Sequence, residues 1–237
     1  MNAPITYQQP DTPAQAVAIQ QELRQRVRLV NDFATPTLIA GVDVGYDPHT
    51  NSSFAVAVLM QMADLTPIAM ARAQVPTPFP YVSGLLSFRE IPALLAVLEE
   101  LSMRPDIVMV DGQGIAHPRR LGIAAHLGVV LDMPTIGVAK SRLVGHYEPI
   151  AAAPGSCSAL MHKGEAIGTV LRSKAGCLPL FISPGHRIDL PTALRVTQQC
   201  LKGYRLPEPT RIADKYSKRA QRENAAGDHP LLRILDH

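Results

Sequence analysis

Asp111 follows Ile107-Val108-Met109-Val110, an apolar quartet that reads as a buried strand. In open α/β sheets, ligands bind at the carboxyl ends of strands. Asp43 lies inside another apolar run, 38–44, with Gly41 and Gly45 at even spacing around it. A carboxylate in such a run is costly unless it is paired or binds a cation. The flanking glycines read as room for a ligand beside the backbone. Glu90, near the start of a helical pattern, reads by itself as a partner of the helix dipole. Lys140 closes the run Gly137-Val138-Ala139. Carboxylates converging at strand ends, with no His or Cys cluster, suit a hard cation such as Mg²⁺, which keeps waters and substrate phosphate oxygens in its shell. Such an ion activates water and neutralises a phosphoryl group, and a lysine at the same edge would stabilise the charge that develops.

Those residues need a sheet to bring them together. Apolar periodicity and turn residues predict strands at 38–44, 54–62 and 68–75, joined as an antiparallel meander. The segment 76–84, PTPFPYVSG, is a loop, because its prolines forbid a continuous ladder. Helix 85–101, strand 107–110, helix 120–131 and strand 135–138 then form a parallel βαβ unit. Strands at 167–171 and 178–182 follow, with helices at 191–202 and 209–222 packing back on the sheet. A first helix over 12–33 opens the chain, with Thr12-Pro13 as cap and first residue. The expected class is α/β: a mixed sheet, antiparallel three-strand meander plus parallel strands, flanked by helices. We read residues 1–237 as one catalytic domain, with 1–11 and 224–237 as flexible ends.

Composition sets the outer bounds. Hydrophobic residues make up 46% of the 237 and charged residues only 18%, at a net charge of +3, which excludes a disordered chain and supports a sizeable core. No apolar run approaches the roughly 20 residues of a membrane helix, and no secretory leader is readable at the start. Cys157, Cys177 and Cys200 are odd in number and show no C-x-x-C spacing. A reducing, cytoplasmic setting without disulfides, and no membrane partner, is the expectation.

Several strings taken together resemble the endonuclease V family of deoxyinosine 3′ endonucleases. They are GVDVG at 41–45, PYVSG at 80–84, FRE at 88–90, VDGQGIAHPRR at 110–120, TIGVAKS at 135–141 and GYRLPEPTR at 203–211, in order, and the resemblance covers about residues 15–216. It implies an RNase H-like fold, in agreement with the strand order above. It implies hydrolysis of the second phosphodiester bond 3′ to deoxyinosine in DNA, leaving 3′-hydroxyl and 5′-phosphate ends, with inosine-containing RNA as a further substrate class. Carried over by position, Asp43, Glu90 and Asp111 are the metal carboxylates for Mg²⁺, with Mn²⁺ able to substitute. Asp214 is a further metal or water contact, and Lys140 and His117 fall at positions associated with catalysis and substrate contact. The base pocket would include Gly84, Leu86, Ile123 and Gly137. Gln113 departs from the pattern, standing where many relatives have His.

The implied substrate has a physical logic. Hypoxanthine shows an O6 acceptor and an N1–H donor where adenine shows the reverse, so backbone groups can read it while wrong bases leave buried polar groups unpaired. Gly84, Gly112, Gly122 and Gly137, at loop or strand-end positions, would let the base approach the main chain. Tyr81, held by Pro80, reads as a wedge filling the space of the everted base. Arg89, Arg119, Arg120, Arg142, Lys174 and the run Lys215, Lys218, Arg219, Arg222 are candidate phosphate contacts. His126 reads as a packed helix residue. Two other classes compete. Asp43-Val44-Gly45 also looks like the phosphate turn of actin-like ATPases and sugar kinases, but those need a second domain for which little chain remains. A lesion-binding module without catalysis is opposed by the carboxylate set, which repels itself unless an ion is present.

Overall fold

The computed structural model describes residues 6–225. Its centre is an eight-stranded mixed sheet in the order β3-β2-β1-β4-β5-β8-β7-β6. The strands are β1 Leu38–Asp47, β2 Ser52–Gln61, β3 Pro67–Pro76, β4 Ile107–Val110, β5 Thr135–Ala139, β6 Cys157–His162, β7 Glu165–Leu171 and β8 Leu180–His186. β1, β2 and β3 form the antiparallel meander, β1, β4 and β5 run parallel, and β8, β7 and β6 continue antiparallel. This is the expected RNase H-like mixed sheet. Helices α1 Pro13–Leu23, α2 Ser87–Glu99, α3 Ile123–Leu131, α4 Leu190–Gln199 and α5 Glu208–Ala225 flank it. None of the described helices is long and apolar enough to cross a membrane.

The two faces of the sheet follow from strand alternation. On β4, Ile107 and Met109 join a core with Ile39, Val58, Val196 of α4 and Ala213 of α5. Val108 and Val110 join the opposite core with Val42, Ile91 and Leu94 of α2 and Leu127 of α3. Both faces are covered, which is why this short strand is apolar throughout. One contact sets the position of α5. A Cβ on Gly41 would fall 2.0 Å from the Pro209 carbonyl carbon, so the helix start lies directly on the β1 backbone. The space beside Gly41 therefore belongs to α5, not to a ligand as the sequence suggested.

The first helix is shorter than its expected 12–33. It ends at Leu23, with one 3-10 turn over Arg24–Arg26, because tertiary partners claim the chain beyond. The Arg28 amide donates to His186 Nδ1 at 3.2 Å. Its guanidinium pairs with Asp32 and Asp132 at 2.7 and 2.8 Å, and Asn31 bonds Asp189 and Thr192. Strand β6 was not expected at all. CSALMH has little strand character, yet a two-residue turn with Lys163 and Gly164 at φ 56° and 80° folds it onto β7, as a tight hairpin requires. Pro92 in α2 leaves the Phe88 carbonyl without its usual helical donor. The Tyr7 hydroxyl donates to that oxygen at 3.1 Å, so part of the 1–11 segment read as a loose end is tied to α2. Residues 226–237 of the other expected loose end lie outside the described residues.

Candidate active site

The register Val42↔Val110 between parallel β1 and β4 sets Asp43 and Asp111 side by side, with the Asp111 amide 3.3 Å from the Val42 carbonyl. Asp214 comes in from α5 on the face where Gly41 admits that helix. Asp43, Asp111 and Asp214 each offer an oxygen within 4.8 Å of the others. Glu90 approaches from α2, in the opposite layer. It is not a member of that set, though the charges of both strand carboxylates are felt at it. Two lysines and a serine complete the cluster. Lys140 Nζ contacts Asp111 Oδ2 and lies 2.5 Å from Asp214 Oδ1. Lys218 reaches the other Asp214 oxygen at 2.7 Å, and the Ser217 hydroxyl donates to Asp43.

The electrostatics are those of crowded, desolvated acids. Burial, then the charge of Asp111, pushes the Asp43 carboxyl up to about 6. Burial, then the charges of Asp43 and Asp111, pushes Glu90 up to about 8. Asp111 is also raised by burial, against the pull of Lys140. Asp214, though partly buried, is held below the usual carboxylate range by its bonds from Lys140 and Lys218. Burial works against the Lys140 charge, but Asp111 and Asp214 outweigh it and hold the ammonium above its ordinary value. An all-oxygen donor set that raises its own proton affinity fits a hard divalent cation, which would remove the repulsion that desolvation amplifies.

A cavity of about 360 Å³ opens beside the carboxylates, within the ~300–1,000 Å³ range of small-ligand pockets. Tyr81, Gly84, Leu86, Gly112, Gly122 and Ile123 line it, together with Asp111, His117 and Lys140. Pro80 and Gly137 are not among the lining residues. A Cβ on Gly137 would lie 2.3 Å from the Gly114 amide nitrogen, so this glycine packs under the 112–114 turn and supports the cavity from behind. Tyr81 stands at the rim, 72% exposed.

His117 holds the wall of the cavity. Its Nε2 lies 3.0 Å from the Gly84 carbonyl and its Nδ1 accepts from the Arg119 amide at 3.2 Å. These partners fix a neutral ring with the proton on Nε2, and burial, then Arg119, depresses its basicity to about 4. Both nitrogens are engaged, so in this geometry His117 helps to hold the cavity wall. Gly84, at φ 77°, receives two further donors on the same oxygen, Gln20 Nε2 at 3.0 Å and an Arg119 nitrogen at 2.7 Å. Arg119 is thereby turned inward. Arg120 bonds His162 and Glu165, so neither arginine presents the free phosphate contact expected of it. Arg89 stacks 3.8 Å over the Tyr46 ring. Arg142 lines the cavity, and the Arg222 side chain lies outside the described residues. His126 is buried, with Nδ1 3.0 Å from the Ser87 hydroxyl.

A family model for endonuclease V matches residues 21–215. The chain belongs to the endonuclease V family. An endonuclease V of Nostoc punctiforme is 53% identical over 87% of this chain and 94% of its own length. The crystal structure of endonuclease V from Streptomyces avermitilis superposes with a TM-score of 0.87 at 43% identity, covering 93% of this chain and 98% of its own. Ciona intestinalis endonuclease V, in complex with a 24mer DNA containing an inosine followed by a ribo-adenosine, gives a TM-score of 0.77 at 27% identity, over 89% and 98% of the two chains.

Sequence reasoning missed some supporting residues of this endonuclease V site. Ser217 lies one helical turn after Asp214, a spacing that places both on one face of α5. Gln20 carried no signal, being a polar residue in an amphipathic helix that proves almost fully buried. Arg205 donates to the Lys140 carbonyl at 2.7 Å, and only its place in the GYRLPEPTR string marked it.

Proposed function

We propose that this chain is a divalent-metal-dependent repair endonuclease. It recognises deoxyinosine in DNA and hydrolyses the second phosphodiester bond on the 3′ side, leaving a 3′-hydroxyl and a 5′-phosphate. The observation that carries the reading is one of contiguity. Asp111 and Lys140 belong both to the carboxylate cluster and to the lining of the 360 Å³ cavity, so a base in the cavity brings its neighbouring phosphates to the acids. The Ciona relative bound to inosine-containing DNA supports the substrate class. Its ribo-adenosine favours inosine-containing RNA as a second substrate class.

Asp43, Asp111 and Asp214 would hold the ion, Mg²⁺ in the cell with Mn²⁺ as substitute. When bound, such an ion polarises water and neutralises charge on the phosphoryl group. Glu90, raised to about 8 by burial and then by the charges of Asp43 and Asp111, favours its protonated form at neutral pH, and with an ion bound it would complete the acidic wall as a carboxylate. Lys140 stays cationic and supplies fixed positive charge where the phosphorane develops. The cavity wall built by Gly84, Gly112, Gly122, Leu86 and Ile123 takes the everted base, and Tyr81 fills the stack it leaves.

The direct test is cleavage of end-labelled inosine, uracil and unmodified strands, as DNA and RNA, with and without Mg²⁺. The reading expects Mg²⁺-dependent cutting of inosine strands one nucleotide beyond the nucleotide's own 3′ linkage. Cutting without a divalent ion, or without regard to inosine, overturns it.

A further inference from the structure

On loops tied to Lys140 lies a second exposed apolar surface that the proposed reaction does not use. Asp111 and Lys140 line the cavity, whereas Asp214, on α5, does not. Arg211 precedes Asp214 by one turn of that helix and is gripped by Glu208 through two bonds of 2.7 Å. Its guanidinium is thereby fixed 4.3 Å over the Tyr204 ring, and Lys174 Nζ lies 5.8 Å from the same ring. Arg205 fastens this corner to the active site. It donates to the carbonyls of Lys140, Pro179 and Leu178 at 2.7, 3.1 and 2.8 Å. Tyr204 and Leu178 project from this braced corner, 51% and 72% exposed.

Their exposure is not scattered. Tyr81, Leu143, Leu178 and Tyr204 are four of the seven exposed large apolar side chains among the described residues. The first two line the base cavity, and the last two stand on loops bonded to Lys140 through Arg205. Exposed apolar tips thus stand both in the cavity lining and on the loops fastened to Lys140. The charge of the second tip selects the partner. Arg211 and the buried Glu208 neutralise each other, which leaves the Lys174 ammonium as the net positive charge beside the ring. An aromatic face flanked by cations binds stacked bases and their phosphates without regard to sequence.

We propose that Tyr204 and Leu178, with Lys174 and Arg211, form the seat for the nucleotides that follow the scissile phosphate on its 3′ side. The proposal rests on the endonuclease reading above and extends it. Tyr81 would hold the strand at the lesion and Tyr204 beyond the cut, so the scissile bond is stretched over the acids between two stacking anchors.

The test measures binding in Ca²⁺ of two labelled inosine strands. One stops at the scissile position with a terminal phosphate, and the other continues for about eight nucleotides. The wild-type protein is expected to bind the longer strand about tenfold tighter, within the range of one or two stacked bases. Tyr204→Ala with Leu178→Ala should bind both strands within about twofold, and Tyr204→Phe should restore the preference, because the ring is what stacks. Equal binding of the two strands by wild type, or an undiminished preference in the double variant, overturns the seat. Wild-type protein that binds adenine and inosine strands alike contradicts the reading of the cavity itself, a separate and distinguishable result.

Discussion

Lys140 and Asp214, 74 positions apart in the chain, meet with Nζ 2.5 Å from Oδ1, and the same ammonium contacts Asp111. Lys140 is thus the internal counter-ion of a cluster suited to a divalent cation. The two cations compete for the same oxygens. Lys140→Met should therefore tighten Mg²⁺ binding, while single-turnover cleavage falls by about 10²-fold or more through loss of charge stabilisation. Calorimetric Mg²⁺ titration beside a cleavage time course checks both signs. Weaker Mg²⁺ binding by Lys140→Met shows that the lysine supports the ion instead of opposing it.

The strand carboxylates should separate chemistry from recognition. Asp43 lies within β1 beside Asp111, which follows the end of β4, and of the two only Asp111 touches the base cavity. Asp43→Ala and Asp111→Ala should each abolish cutting, with inosine-strand affinity kept within a few-fold. Mobility-shift binding paired with cleavage assays measures this. Full activity in either variant removes that residue from the ion's shell.

Glu90 and Asp43, raised to about 8 and about 6, hold protons that a bound divalent ion would displace. Apparent Mg²⁺ affinity should climb as pH rises from about 6 to 8, with proton release on binding. Titrations in buffers of different ionisation enthalpy count those protons. Glu90→Gln should flatten the upper part of the climb, and an unchanged slope in that variant assigns the protons elsewhere.

Much of this site was legible because its residues sit at places that backbone patterns mark. Four apolar residues followed by Asp111 predict a buried strand with a carboxylate at its end, and β4 is that strand to the residue. The helix over 12–33 failed because periodicity registers local preference, while Arg28 and Asn31 answer to partners more than 100 positions away. Gly41 shows the same limit within the site. Its lack of a side chain was visible, but the backbone that needed the space, Pro209, was far along the chain. His117 was read as chemical from its string. Its role depends on which atoms meet its two nitrogens, and spacing carries no record of that.

Tyr81, 72% exposed at the rim of a cavity large enough for a base, has no packing duty that would explain an aromatic ring there. Tyr81→Ala should weaken binding to inosine strands by about tenfold, while the single-turnover rate at saturating enzyme changes less. Fluorescence anisotropy and rapid-quench cleavage separate the two quantities. An unchanged dissociation constant dismisses the wedge.

Two buried histidines give the fold an acid limit. Burial lowers His126 to about 3, and burial with Arg119 lowers His117 to about 4, against an ordinary value near 6.5. A base depressed in the folded state is neutral there and charges more readily when unfolded. Its stabilisation is fully present above the unfolded value and is lost as pH falls from about 6.5 towards 4. Each ring should account for about 2 kcal/mol between pH 7 and 5. Asp43 and Glu90 act with opposite sign over this window, since acidification removes their buried charge and then their repulsion, so the wild-type curve alone does not isolate the histidines. The informative quantity is the difference between wild type and His126→Phe, a ring that keeps the packing against Phe88. Chemical denaturation at pH 7 and 5 should show the variant losing less stability on acidification. Parallel losses in the two proteins mean that His126 already carries its proton in the native core.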